Sequence, residues 1–181
     1  WLLTQIQPDG SFEVAGFPGF ETPDAVLAIA EAAQTGPTWS TAEALAAVRA
    51  VDTCGVGPLT WLDGWSRSGL TGGDAAKLIV FVSGPLGLSA TAFDPADDGD
   101  PVDLTALIAA SEEPDGWYGT FGETIDVALA LRILGVPVPA TTVSALRDGQ
   151  HADGGWDYTG DVSTETPEDI NSSAGALMAL I

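Results

Sequence analysis

The feature that most constrains this chain is a turn that recurs along it and is followed by an apolar segment. In each copy an Asp-Gly pair is followed one or two residues later by an aromatic residue. Asp-Gly favours a turn, because glycine supplies positive φ and the aspartate side chain bonds the nearby backbone. The copies lie at residues 5–12, 61–65, 113–119 and 150–156. Such an internal repeat predicts an array of similar supersecondary units.

Each turn leads to a sequence that is typical of a helix start. Acidic and hydroxyl residues there can accept from free backbone N–H groups and complement the helix dipole. These starts are Glu21-Thr22-Pro23-Asp24, Gly73-Asp74, Glu123-Thr124-Ile125-Asp126 and Glu165-Thr166-Pro167-Glu168-Asp169. The segments that follow, 25–30, 75–82, 127–134 and 174–181, are apolar on nearly all sides, which predicts helices enclosed by other protein. Residues 78–82 would also suit a buried strand, but their place in the repeat predicts a helix.

The segments that precede the turns have a different pattern. Residues 41–51, 101–110 and 139–147 carry apolar side chains on one face and polar ones elsewhere, as in amphipathic surface helices. An alternation of outer amphipathic and inner apolar helices builds a two-layered α/α array. We therefore predict an all-α fold in a single domain over residues 1–181, in which Trp65, Trp117 and Trp156 seal the turns.

The turn sequences resemble the repeat motif of a known superfamily. Residues 150–156, from Gln150 through Asp153-Gly154-Gly155 to Trp156, are similar to the Gln-to-Trp repeat of the prenyltransferase and squalene-cyclase superfamily, and residues 5–12 are a variant. The resemblance implies an α/α toroid, the terpenoid-cyclase-like ring of helical hairpins. The Asp-Gly pairs are 54, 52 and 38 residues apart, and the second copy lacks the glutamine. With about four to five helix pairs, an incomplete ring cut at both ends is expected.

Charge excludes several classes of partner. The chain has 26 acidic and 5 basic residues, for a net charge of −21. Because the basic residues are few and scattered, neither a nucleic-acid backbone nor an anionic membrane surface could be neutralised. No apolar run approaches the roughly 18 residues of a membrane span, so no membrane insertion is expected. The acidic, lysine-poor composition suits a salt-adapted or exported protein, and we predict an extracellular or cell-surface location.

The family's catalytic signatures are missing from this chain. The resemblance to terpene cyclases would imply an Asp-x-Asp-Asp acid, and no such motif occurs. The zinc set of protein prenyltransferases would imply an Asp-x-Cys pair and a distant histidine, but Asp52, Cys54 and His151 stand at the wrong places in the repeat. A thioester domain would need a glutamine near Cys54, and none is present. These absences favour a non-catalytic chain without deciding the question for a longer protein.

An acidic stretch near the middle of the sequence is a candidate metal loop. Asp94, Asp97, Asp98 and Asp100 could offer the hard oxygen ligands that Ca²⁺ prefers. The spacing is not that of an EF-hand, because Ala96 occupies the third position. A solvated acidic loop is the alternative, and no other cofactor is predicted.

The acidic residues at the helix starts have two interpretations. They can be helix caps, as their type and position indicate. Equivalent repeat positions also fall at one end of an array, where carboxylates beside aromatic rings could hold a sugar or an organic cation. Besides the loop aromatics Phe17, Phe20 and Tyr158, the candidate ligand-binding residues are Glu21, Asp24, Asp74, Tyr118, Phe121, Glu123, Asp126 and Asp169.

The function that these observations favour is a non-catalytic binding or interaction domain of an exported or cell-surface protein. Its partner would be a neutral or cationic small molecule, or a protein. The resemblance also allows two alternatives, a fragment of a terpene-cyclase-like or protein-prenyltransferase-like enzyme and a carrier of a cobalamin-type ligand.

Overall fold

A computed structural model describes residues 1–13, 21–51, 55–163 and 166–181. Regular structure in these ranges is helical, apart from one antiparallel bridge between Phe93 and Val102. The all-α prediction is therefore confirmed. The helices are α1 (Glu21–Ala32), α2 (Thr41–Arg49), α3 (Pro58–Ser66), α4 (Gly72–Leu78), α5 (Gly84–Leu86), α6 (Leu104–Ala110), α7 (Phe121–Ile133), α8 (Ala140–Asp148) and α9 (Ile170–Leu180).

The segment that could have been a buried strand is helical. Between α4 and α5 the chain continues through a π-helical stretch, Ile79–Ser83, in which Ile79 and Val82 are fully buried. Wider turns of this kind form when one extra residue is accommodated without breaking the helix. Leu78 is fully buried as well, whereas Val80 and Phe81 are half-buried, so the segment is enclosed on most but not all of its sides.

By its contacts the chain divides into two compact units. The first comprises Trp1–Leu70 and Leu78–Leu104, and the second comprises Thr71–Lys77 and Thr105–Ile181. In the first unit α1 packs against α2, α3 and the π-helical stretch, and it buries Val26 and Ala30 completely. Helix α2 buries only one face, through Ala44 and Val48, and Ser40 caps its start.

The second unit is centred on α7, which packs against α8 and α9. Thr120 caps α7 in a capping box, in which its hydroxyl accepts from the Glu123 N–H and the Glu123 carboxylate accepts from the Thr120 N–H. The core of this unit consists of Phe121, Ile125, Ala128, Leu146, Trp156, Ala176 and Ala179. Helix α7 buries residues on several sides, whereas α8 buries one side, through Thr142, Ala145 and Leu146.

One predicted turn is wrong. Asp63-Gly64 lies inside α3, and Gly64 has no positive φ. Proline at the first turn of the helix, Pro58, favours the helical start, and burial of Leu59 and Leu62 on one face holds the helix in place. Trp65 therefore seals no turn.

The fourth predicted helix start is confirmed at its last residue, Asp169. Residues 166–169 are not helical, and α9 begins at Ile170 with Asp169 as its N-cap. Glu165 itself lies outside the described residues.

Candidate functional site

Three of the four turns are built in the same way. The first residue donates its N–H to the carbonyl of the fifth at 2.7–2.9 Å, and the glycine in fourth place donates back to the first at 2.9–3.0 Å. The Asp side chain accepts from the backbone N–H two residues later, and the glycine has φ between +88° and +97°. The five-residue turns span residues 7–11, 113–117 and 151–155.

The residue after each turn is a buried aromatic that is anchored to the next helix. The backbone N–H of Phe12 donates to Thr22 Oγ1 at 2.9 Å, that of Tyr118 to Thr124 Oγ1 at 3.1 Å, and that of Trp156 to Ser173 Oγ at 2.9 Å. The three aromatic residues are 4–6% exposed. A turn, a buried aromatic and a helix hydroxyl therefore form one repeated unit.

The aromatic that fills the third turn is Tyr118 rather than Trp117. Trp117 is half-buried, and its ring centroid lies 5.8 Å from that of Phe121. Trp156 takes the predicted role, because it is 4% exposed and its Nε1–H donates to the Leu146 carbonyl at 2.7 Å. The sequence marks two of the three helix hydroxyls, because Thr22 and Thr124 directly follow the glutamates of their helix starts. Ser173 on α9 does not follow a glutamate, so the sequence does not indicate its role.

Two of the predicted binding carboxylates, Asp74 and Glu123, cap the starts of α4 and α7, and a third, Asp169, caps α9. Asp74 accepts from the N–H and hydroxyl of Thr71 at 2.9 Å, and Glu123 accepts from the Thr120 N–H at 2.7 Å. The Thr71 hydroxyl also donates to Glu123 Oε1 at 3.2 Å, which joins the starts of α4 and α7. These bonds engage the carboxylates in stabilising helix starts.

The remaining predicted binding residues of the second unit are Asp169, Tyr118, Phe121 and Asp126. Asp169 accepts from the Ser172 N–H at 2.6 Å, and this bond lowers the pKa of its carboxyl. Tyr118 and Phe121 are 4% and 2% exposed and belong to the core, and burial raises the pKa of Tyr118. Asp126 is half-exposed on α7, one turn beyond Glu123.

Glu21 and Asp24, at the start of α1, line a cleft of about 460 Å³ in the first unit. Its walls are largely apolar and include Trp1 and Phe12, with Glu13 as a third carboxylate. Glu13 Oε1 also accepts from the Thr22 N–H at 2.9 Å. No lysine or arginine lines the cleft among the described residues, so its charge is negative. It is the place where the structure brings predicted carboxylates and aromatic surface together.

The acidic loop surrounds an arginine. Arg67 lies 2.6 Å from Asp63, 2.7 Å from Asp98 and 3.4 Å from Asp100, measured between nitrogen and oxygen atoms. Asp94 accepts from the N–H groups of residues 98 and 99 at 3.0 and 2.9 Å, and these bonds lower the pKa of its carboxyl. The Arg67 guanidinium thus already neutralises part of the negative charge of these carboxylates.

Among the described residues, the carboxylates that could share a metal ion are Asp63, Asp94 and Asp98, whose oxygens lie within 4.8 Å of one another. Asp97, at φ +59°, and Asp100 are outside this group. Asp63 is 4% exposed, and burial raises the pKa of its carboxyl although Arg67 opposes the shift. Because Arg67 bonds two of the three, a Ca²⁺ ion would compete with it, and the Ca²⁺ site stays a prediction.

His151 lies beside two carboxylates at the fourth turn. Its Nε2 is 3.6 Å from Asp157 Oδ2 and its Nδ1 is 3.9 Å from Glu168 Oε1. Phe17, Phe20, Asp52 and Cys54 lie outside the described residues, and Tyr158 is exposed. The described part of the chain therefore contains the histidine of the compared zinc set without its other members.

Comparison with known proteins gives no assignment. No family model matches the chain, and no curated protein or solved structure is significantly similar to it. No helix in the described ranges has the length and apolarity needed to cross a bilayer. The relationship to the prenyltransferase and squalene-cyclase superfamily therefore stays a prediction from the turn sequences.

Proposed function

We propose that this chain is a non-catalytic binding module and that it holds an organic cation in the cleft at the start of α1. The observation that carries the proposal is the position of Glu21 and Asp24 on the rim of a largely apolar cleft. We also propose that its helices follow the α/α-toroid arrangement of the terpenoid-cyclase-like superfamily, in an extracellular or cell-surface protein. The three equivalent turns support this arrangement.

The chemistry of the cleft favours a cation with an apolar body. Trp1 offers most of the aromatic surface, because Phe12 is only 6% exposed, and an aromatic face contributes about 0.5–2 kcal/mol to cation binding, more when water is excluded. Glu13, Glu21 and Asp24 add negative charge, and in a cleft open to solvent each ion pair with a cation is worth about 0.2–1 kcal/mol. An anion would be repelled by these three carboxylates, so the cleft favours a cation over an anion.

The volume of the cleft limits the ligand to a small molecule. About 460 Å³ lies within the roughly 300–1,000 Å³ of small-ligand pockets. A quaternary ammonium group on a short apolar chain would place its charge at the carboxylates and its carbon atoms against Phe12 and Ala25. Because the cleft is open to solvent, salt should weaken the charged contribution.

The test compares a cation with an uncharged molecule of the same shape. Calorimetric titration of choline and of 3,3-dimethylbutan-1-ol into the chain should show binding of choline alone, weakened by added salt. Asp24→Asn and Glu21→Gln should each lower choline affinity about three- to tenfold, which corresponds to about 0.7–1.4 kcal/mol. Glu31→Gln is the matched control, because Glu31 is exposed on the same helix and does not line the cleft.

Three results would refute the proposal. Equal affinity for the cation and its uncharged counterpart would remove the role of the carboxylates. Binding that survives both α1 substitutions would place the site elsewhere. Turnover of a prenyl diphosphate or squalene-like substrate by the chain would favour the enzyme-fragment alternative.

A further inference from the structure

A second cleft, of about 740 Å³, lies in the second unit and takes no part in the proposed cation site. Three segments form its walls: the turn that contains Asp115 and Trp117, one side of α8, and the loop at residues 160–162. The volume is within the range of small-ligand pockets. Its openness to solvent suits a ligand that is itself well hydrated.

Two glycines line this cleft where the 160–162 loop lies against the core. The two are Gly149 and Gly160, and a Cβ at Gly160 would stand 2.4 Å from Phe121 Cδ2. Glycine therefore lets the 160–162 loop lie directly on the core. Ala140 and Ala145 on α8 also add no bulk.

Polar groups and one aromatic side chain line the same space. Thr141 and Ser144 are exposed on α8, one turn apart, so their hydroxyls stand on one face of the helix. Asp148, a further turn along, adds a carboxylate to that face. Trp117, which is half-buried, also lines the cleft.

This combination matches the two surfaces of a sugar ring. The C–H face of a pyranose is apolar and can pack against an indole, which has a large apolar body. The ring's hydroxyl groups both donate and accept, so carboxylates can accept from them and the threonine and serine hydroxyls can do either. A purely apolar ligand would leave the polar groups unpaired, which costs affinity.

The negative charge of the cleft further limits which sugars it can bind. Asp115, Asp148 and Asp161 line the cleft, and no lysine or arginine does so among the described residues. Acidic sugars are therefore disfavoured. We propose that this cleft binds a saccharide without acidic groups, held by stacking on Trp117 and by hydrogen bonds to the α8 hydroxyls and to the carboxylates.

The first part of the test is a titration of the whole chain, followed by calorimetry, with uncharged hexasaccharides of glucose, xylose and N-acetylglucosamine. We expect at least one to bind with a dissociation constant below about 1 mM, corresponding to about 4 kcal/mol. Hexagalacturonate should not bind. Absence of binding by all uncharged hexasaccharides up to about 10 mM overturns the proposal.

The second part locates the site with a blocking substitution. Ser144→Trp fills the cleft from an exposed position on α8 and should lower affinity at least tenfold, whereas Asn171→Trp, at an exposed position on α9, should leave it unchanged. Thermal melts of both variants establish that they fold. Trp117→Phe should weaken binding and abolish part of the ligand-induced change in tryptophan emission. Affinity unaffected by Ser144→Trp overturns the proposal.

The third part separates stacking from charge. Spermidine carries positive charge without a sugar ring, and it should not displace the saccharide at equal concentration. Displacement by spermidine, with loss of its binding in Asp148→Asn, would show an acidic cleft that holds any cation and would overturn the saccharide assignment. The experiment does not depend on the α1 cleft, so the two proposals can fail separately.

Discussion

Gly116→Ala is the substitution whose effect the repeated turn predicts most sharply. Gly116 has φ +88°, and a Cβ there would stand 2.4 Å from the backbone carbon of Thr141 at the start of α8. Gly154 holds the equivalent place in the fourth turn at φ +97°, but its nearest neighbour to an added Cβ is the Gln150 side chain at 4.0 Å. Gly116 and Gly154 share the same backbone conformation, but only Gly116 lies directly against the backbone of another helix.

The difference in magnitude follows from that geometry. Left-handed backbone costs an alanine roughly 1–2 kcal/mol, and this cost applies at both positions. At Gly116 the backbone of α8 must also move away by about an ångström, and overpacking of this kind costs typically 1–3 kcal/mol more. We therefore expect losses in the free energy of unfolding of about 1–2 kcal/mol for Gly154→Ala and about 2–5 kcal/mol for Gly116→Ala.

Urea unfolding followed by circular dichroism measures both values. The variants should retain the slope of the parent and shift the midpoint, because the same surface is exposed on unfolding. Equal midpoints for the two variants would refute the argument that the third turn is pressed against α8. Gly99→Ala, at φ +87° with nothing within 4 Å, is a further control for the conformational cost alone.

The remaining predictions concern the buried indole, an acidic cap and the arginine cluster. Trp156→Phe should cost about 2–4 kcal/mol, since it removes the bond to the Leu146 carbonyl and leaves a buried acceptor unsatisfied; a loss below 0.5 kcal/mol by urea titration would contradict the packing. The pKa of the Asp169 carboxyl in the folded protein is lowered from 3.8. The ionised carboxylate therefore stabilises the fold fully above the unfolded pKa near 4, and this stabilisation is lost as pH falls through the folded pKa. Asp169→Asn should keep the cap at pH 7 and unfold with a weaker acid dependence than the parent, and identical acid profiles would argue against this assignment. Arg67→Gln should lower the melting temperature and then gain thermal stability from millimolar Ca²⁺, whereas the parent should not respond; a Ca²⁺ response of the parent would show that the ion outcompetes Arg67.

Much of the fold could be predicted because helix periodicity and turn chemistry are local. The Asp-Gly pairs before Phe12, Tyr118 and Trp156 are turns, and each is followed by a polar helix start. The pair Asp63-Gly64 has the same local sequence, yet it is helical because Pro58 and the buried leucines around it favour α3. A dipeptide alone cannot distinguish these outcomes, since packing on other elements decides them.

The candidate site could be predicted only in part. The carboxylates at the helix starts were recognisable, and their capping role was one of two interpretations. Glu21 and Asp24 line a cleft together with Trp1 and Phe12. Only the folded chain brings these four residues together, so the sequence could not show which carboxylates would line a cleft. Adjacent aromatic residues pose the same problem, because a pattern cannot tell whether Trp117 or Tyr118 will turn inward.

The cleft of the second unit had no signal that sequence reasoning could use. Its lining comes from a turn, a helix face and a loop that are separated along the chain, and small residues are its most frequent components. Glycine and alanine have no polar or reactive side-chain group, so a sequence motif cannot identify them as parts of a binding site. The close approach of Gly160 to Phe121 becomes visible only when both are placed in three dimensions.

The most direct test of a cation site at the start of α1 is the salt-dependent affinity for choline of the parent and of the double variant Glu21→Gln, Asp24→Asn. The account predicts that the parent binds choline and not 3,3-dimethylbutan-1-ol, and that the double variant loses at least tenfold in affinity while Glu31→Gln does not. A double variant that binds choline as tightly as the parent would contradict the account.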